Sequence, residues 1–217
     1  MHILMIGNSY TFYNDMPEIL KAIAAANGKE LTVETITKGG RKLIENAESG
    51  DELAEKTAEA ARSGRFDAVF LQEQSVWPIT RQETFFEGVT KLHELLKGAS
   101  DRFILYETWG RADGSEKLET LGCTHEQMRD GLAAAYRAAA EKIGAEVSPV
   151  GEAFTKLYRA EPELELYRPD LSHPAYLGSC LAAAVHYRTL FGTAPEGFGD
   201  LTLSEKEKQA IMQAMKS

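Results

Sequence analysis

Cysteine is nearly absent from this chain. Cys123 and Cys180 are the only two, and they lie too far apart for a CxxC metal or redox motif. Cys180 falls in an apolar helical stretch and reads as a small buried hydrophobe, so no structural disulfide is expected. Long apolar runs are missing as well. Nothing approaches the ~18 apolar residues that a membrane span requires. The first apolar run, Ile3 to Ile6, has neither a basic flank nor a cleavage site, which leads us to expect a cytoplasmic protein. No basic cluster offsets the acidic excess: 24 Lys and Arg stand against 33 Asp and Glu, a net charge of −9. Nucleic acid and anionic membranes are therefore not expected as partners. There is no HExxH and no paired Cys/His spacing, so no metal is expected. Neither GxGxxG after the first strand nor GxxxxGK(S/T) is present, which speaks against a nucleotide-binding Rossmann domain. No cofactor is implied.

What is present is an ordinary globular composition, 43% hydrophobic and 26% charged, in 217 residues. That length suits one domain spanning residues 1–217 that buries its core without staples. Short apolar runs alternate with helical periodicity. Ile3 to Ile6 reads as a strand buried on both faces. Asn14 or Asp15 can cap a helix with Pro17 in its first turn, Ile19, Leu20, Ile23 and Ala24 on one face, and Gly28 at its end. Leu31 to Thr37 is a second strand, and a helix is expected from Leu43 to about Arg62. Asp67 to Gln72 is a third strand, followed by a capping box at Thr80 and Glu83. Arg102 to Glu107 is a fourth strand, with a loop from Thr108 to Cys123. Thr124 and Gln127 form another capping box, for a helix reaching Gly144. Ala145 to Val150 is a fifth strand, then a helix near Glu152 to Arg159. A polar loop from Glu161 to His173 leads to a helix from about Pro174 to Phe191, and Ser204 with Glu207 opens the last one. The alternation predicts a three-layer α/β/α sandwich on a five-stranded parallel sheet, in the flavodoxin-like order 2-1-3-4-5.

Ligands of such sheets sit at the C-terminal ends of the strands. Gly7, Asn8 and Ser9 follow strand one, Gly39 and Gly40 strand two, Gln72 to Ser75 strand three, and Glu107 to Trp109 strand four. Any of these is also a plain turn with local hydrogen bonds. Near the C-terminus stand Asp170 and, three residues later, His173. That spacing lets the carboxylate hold one imidazole nitrogen and leave the other free as a base, or makes a helix cap beside a surface histidine. His93 and His186 read as surface or packing residues, and His2 and His125 as exposed. Trp77 and Trp109, the only tryptophans, fall on the same rim, where their faces could stack on a flat substrate or simply pack the loops.

Together these pieces resemble the SGNH (GDSL-like) hydrolase superfamily. Gly7, Asn8 and Ser9 are similar to its first block, Gly40 to the glycine of its second, and Asp170 through His173 and Pro174 to its final DxxHP block. The third block departs, since Gln72, Glu73, Gln74 and Ser75 stand where GxND is usual. The first departs too, with Tyr10 after Ser9 in place of leucine. The resemblance implies Ser9 as nucleophile, His173 as base and Asp170 as its orienting acid. It further implies an oxyanion hole from the backbone N–H of Ser9 and of Gly40, plus the amide of Gln74, or of Gln72 as second choice. Each donor is worth roughly 3 kcal/mol when well placed. Asn8, Glu73, Trp77 and Trp109 are further candidates for contact with substrate. The substrate so implied is a small O-acyl ester, with acetylated carbohydrates as one class. The altered third block leaves a second reading, a ligand- or carbohydrate-binding module on the same fold without turnover. Gly7 to Thr11 is not the GxSxG of an ordinary α/β-hydrolase. Oligomeric state is not legible.

Overall fold

The structure, a computed structural model, describes residues 1–216. Its strands are β1 (His2–Gly7), β2 (Thr32–Thr37), β3 (Ala68–Leu71), β4 (Phe103–Tyr106) and β5 (Glu146–Ser148). All pair in parallel, in the order β2-β1-β3-β4-β5. The helices are α1 (Ser9–Phe12), α2 (Met16–Ala26), α3 (Leu43–Glu48), α4 (Glu52–Ser63), α5 (Trp77–Thr80) and α6 (Gln82–Leu96). Further along come α7 (Glu116–Leu121), α8 (His125–Ile143), α9 (Val150–Ala160), α10 (Tyr176–Phe191) and α11 (Glu205–Ala214). No helix among the described residues is long and apolar enough to cross a membrane.

Successive strand residues point to opposite faces, and the packing divides accordingly. Ile3, Met5, Phe70, Ile104 and Tyr106 join α2, α9, α10 and α11 on one side of the sheet. Leu4, Ile6, Val69, Leu71, Phe103 and Leu105 join α3, α6 and α8 on the other. With both faces covered, Ile3 to Ile6 of β1 and all of β3 and β4 must be apolar, which is why they read as continuous runs. The edge strand β2 leaves most of its side chains in or near solvent. Helix α10 is buried at every position from Leu177 to Tyr187. Its small residues permit this: a Cβ on Gly178 would lie 2.6 Å from the Leu166 carbonyl oxygen. Backbone therefore packs on backbone directly behind the segment that carries His173.

The structure departs from the local reading at five places. The helix expected from Leu43 to Arg62 is two, α3 and α4. Gly50 (φ 65°) turns the chain, and Asp51 starts α4 by accepting from Leu53 N and Ala54 N. The box at Thr80 does not form, since the Thr80 hydroxyl donates to Val76 O at 2.9 Å inside α5. The loop from Thr108 to Cys123 contains α7, capped by Ser115. Helix α9 begins at Val150, which the fifth strand was expected to include. Asp15 makes no cap bond to α2. The boxes at Thr124/Gln127 and Ser204/Glu207 form as expected.

Candidate active site

The C-terminal end of β1 makes an abrupt turn. A Cβ on Gly7 would lie 2.5 Å from Thr11 Oγ1 and 2.7 Å from Gln72 Oε1, so only glycine lets the chain pass. Gln72 Oε1 accepts from Asn8 N and from Thr11 Oγ1, both at 2.9 Å. Asn8 is buried and caps α1, its Oδ1 accepting from Tyr10 N at 3.2 Å. Its Nδ2 donates to Arg41 O at 2.9 Å. These bonds fix Ser9 at the first position of α1 and tie it to the loop after β2. In that loop Arg41 N donates to Lys38 O at 3.1 Å, closing a four-residue turn whose third residue, Gly40, has φ +69°. That left-handed conformation favours glycine. The buried Arg41 guanidinium anchors the loop by donating to both oxygens of Asp51 at 2.5 and 2.8 Å, to Glu45 O at 2.8 Å and to Asn46 Oδ1 at 3.2 Å. It holds the Asp51 carboxyl well below the usual carboxylate range.

The last block arrives from the other end of the chain. His173 Nε2 lies 2.9 Å from Ser9 Oγ, and His173 Nδ1 lies 2.5 Å from Asp170 Oδ2. Asp170 Oδ1 accepts from the backbone N–H of Ser172 at 3.0 Å and of His173 at 2.9 Å. Burial pushes the Asp170 carboxyl up, but the His173 ring and these two N–H groups outweigh it and hold the group below its usual value. Leu171 takes φ +57°, and its carbonyl accepts from Ala112 N at 3.0 Å. Behind this turn, Trp109 Nε1 donates to Ser172 O at 3.0 Å. The indole is sandwiched in a column with Tyr10 (4.5 Å between centroids, 8° between planes) and Phe154 (4.3 Å, 10°). Ser9, Phe12, Tyr13, Asn14, Gly39, Gly40 and His173 line a depression of about 480 Å³ over the hydroxyl.

Serine, histidine, aspartate and Gly40 thus meet as the sequence pattern suggested. The four residues considered for substrate contact do not line this depression. Trp109 is fully buried (0% exposed) and supports the His173 turn. Asn8 is consumed by its cap and by Arg41. Trp77 is half-buried at the start of α5 with Lys42 Nζ 5.5 Å from its ring centroid. Glu73 is buried, accepting from Gln74 N at 2.6 Å and from Leu43 N at 3.3 Å. Gln72 is committed to Asn8, Thr11 and, through Nε2, the Glu73 carbonyl, which removes it as an oxyanion donor. Gln74 accepts from Val76 N with Oε1 at 3.1 Å, which leaves Nε2 as its donor end. Histidine placement also differs at position 125. Its ring is buried, with Nε2 2.8 Å from Thr155 Oγ1 and Nδ1 2.8 Å from Arg111 O. Sequence reasoning missed Arg41 and the tyrosines around His173, and no spacing rule marks either.

Two buried glutamates flank the site loops. Burial pushes Glu73 up to about 7, against the N–H groups of Gln74 and Leu43. Burial, then the Glu152 carboxylate, push Glu107 up to about 7; its Oε1 has no hydrogen-bond partner. A carboxyl whose folded pKa is raised keeps its proton longer in the folded chain. Stability is then greatest below the unfolded value of 4.5 and falls as pH rises through about 7. Glu107→Gln, which keeps an acceptor for Glu152 N–H, is expected to raise Tm at pH 8 and change it little at pH 4.5. About 3 kcal/mol is recoverable at most, or roughly 2–4 °C per kcal/mol. Thermal melts across this range check it; a gain at pH 4.5 equal to that at pH 8 contradicts it.

Among the described residues no group of three or more His, Cys, Asp or Glu side chains is placed to hold a metal ion. No protein-family model matches the chain, and no curated protein matches it. Solved structures do. One from Slackia heliotrinireducens, assigned to the SGNH hydrolases, is 34% identical with a TM-score of 0.76, over 88% of this chain and 98% of that one. A DUF4886 family protein from Bacteroides uniformis is 15% identical with a TM-score of 0.79, over 99% and 92%. An acetylxylan esterase from Geobacillus stearothermophilus, crystallised as a catalytic mutant, is 14% identical with a TM-score of 0.63, over 88% and 94%.

Proposed function

Because the chain belongs to the SGNH hydrolase family, we propose that it is a serine esterase cleaving small O-acyl esters through an acyl-enzyme on Ser9. The single observation that carries this reading is the unbroken path from Ser9 Oγ to His173 Nε2 (2.9 Å) and from His173 Nδ1 to Asp170 Oδ2 (2.5 Å). An ionised Asp170 accepts from Nδ1–H, which leaves Nε2 unprotonated and facing the hydroxyl. As Ser9 Oγ attacks the acyl carbon, its proton passes to Nε2, and Asp170 stabilises the imidazolium. The oxyanion is held by the N–H of Ser9 and Gly40 and by the Gln74 amide. The imidazolium then protonates the leaving alcohol. Water, deprotonated by the same nitrogen, releases the acid and restores Ser9. Asn8 and Arg41 do not touch substrate; they keep the two backbone donors beside one another.

The depression is open to solvent, lined by Gly39 and Gly40 together with Phe12 and Tyr13. Such a shape suits an acetyl group on a larger alcohol, and an acetylated carbohydrate is the substrate class favoured by the acetylxylan esterase among the structures of like fold. A p-nitrophenyl ester series tests the assignment together with a fluorophosphonate probe. Stoichiometric labelling at Ser9 and kcat/KM falling with acyl length are expected. Absence of both labelling and hydrolysis would sink it and leave the binding module that the altered third block suggests.

A further inference from the structure

We propose that Tyr13 is a positioning residue for His173, its ring lying on the imidazole and fixing the plane in which Nε2 meets Ser9. The role rests on the esterase reading of that imidazole, whereas the contact does not. The two rings stack with centroids 4.3 Å apart and planes 22° apart. Tyr10 meets the same imidazole edge-on, at 5.5 Å and 80°. The Arg168 guanidinium carbon sits 5.2 Å from the Tyr13 ring centroid, and Arg168 N donates to His173 O at 2.9 Å. Two hydrogen bonds along the Nδ1–Nε2 direction set where those nitrogens point, yet they leave the ring free to rock about that line. A flat neighbour removes this freedom.

The backbone after Tyr13 supports the assignment independently. Asn14 (φ 54°) and Asp15 (φ 53°) are consecutive non-glycine residues in the left-handed region, a conformation that L side chains resist and that persists only where surroundings enforce it. Helix α2 does not require it, because Asp15 contributes no cap bond. What enforces it is Asn14, whose Nδ2 donates to Pro174 O at 3.0 Å and to Ser179 Oγ at 2.8 Å. Ser179 Oγ in turn donates to Tyr13 O at 3.2 Å. These bonds run to Pro174, next to His173, and to Ser179 in the first turn of α10. The strained corner therefore clamps the segment after Ser9 to the segment after His173 and carries the Tyr13 ring onto the imidazole.

Tyr13→Phe keeps the flat face and Tyr13→Leu removes it. In Tyr13→Leu, folded by circular dichroism, kcat is expected to fall about 10- to 100-fold, more than KM changes, the size of loss that slight misplacement of a reacting group produces. The His173 Nδ1–H resonance in the proton NMR spectrum is expected to broaden through faster exchange with water. Tyr13→Phe, which keeps the flat face, is expected to keep the resonance sharp and to restore most of the kcat that Tyr13→Leu loses. An unchanged resonance or an unchanged kcat in Tyr13→Leu overturns the proposal, as does a Tyr13→Phe variant equally defective. Should the unaltered protein hydrolyse no ester, the esterase reading fails by itself, and the resonance alone decides the contact.

Discussion

Ser9→Ala is expected to lower kcat for ester hydrolysis by about 10⁶-fold while leaving Tm unchanged; loss of the nucleophile removes the covalent path altogether. The stability half of this expectation follows from the contacts. Ser9 Oγ bonds to His173 Nε2, whereas the turn around it is held by other groups: Gln72 on Asn8 N, Asn8 on Tyr10 N, and Asn8 on Arg41 O. Alanine is at ease at the first position of a helix. The variant should therefore fold normally, refuse a fluorophosphonate, and still present Gly40 and His173 to a ligand. Hydrolysis within tenfold of the unaltered rate, roughly 1.4 kcal/mol of barrier, would show that Ser9 is not the nucleophile.

Asp170→Asn is expected to cost about 10⁴ in kcat, as replacement of a triad aspartate by its amide does when geometry is kept. The reason is specific to this turn. Asp170 Oδ1 accepts from two backbone N–H groups, those of Ser172 and His173, so an asparagine must place its carbonyl oxygen there. Its NH₂ then faces His173 Nδ1 and donates to it. The imidazole is forced to carry its proton on Nε2, pointing at Ser9 Oγ, where no base remains. Binding of substrate, judged from KM, should barely change. Asp170→Ala, which allows either tautomer, is expected to retain more activity than Asp170→Asn. The reverse order, measured on one acetyl ester, contradicts the tautomer argument.

Most of the scaffold could be read without coordinates, because it rests on local chemistry. Apolar runs at Ile3 to Ile6, Ala68 to Leu71 and Phe103 to Tyr106 have only one use when both faces of a sheet are covered. Capping boxes at Thr124 and Ser204 involve residues three apart. Several of the differences lie where a local preference met a remote competitor. Asp51 was read as helix interior, but Arg41 claims its carboxylate and Gly50 breaks the helix before it. Trp109 was read as either stacking on a substrate or packing the loops, and it packs: Tyr10 and Phe154 stack on its faces and Ser172 takes its N–H. His125 was read as exposed, and Thr155 with the Arg111 carbonyl buries both of its nitrogens.

The amino-acid order alone laid out the parallel sheet and singled out candidates on it, a serine after the first strand and a DxxH before the penultimate helix. Tertiary structure decided the rest: that positions 164 residues apart touch, that Gln72 braces the turn through Asn8 and Thr11, and that aromatic rings pack around His173. Hydrogen-bond partners within a few residues are dictated by backbone geometry and can be read from spacing. Partners brought together by two helix layers folding onto one sheet depend on how every side chain in those layers fills space, and no short stretch of sequence contains that information.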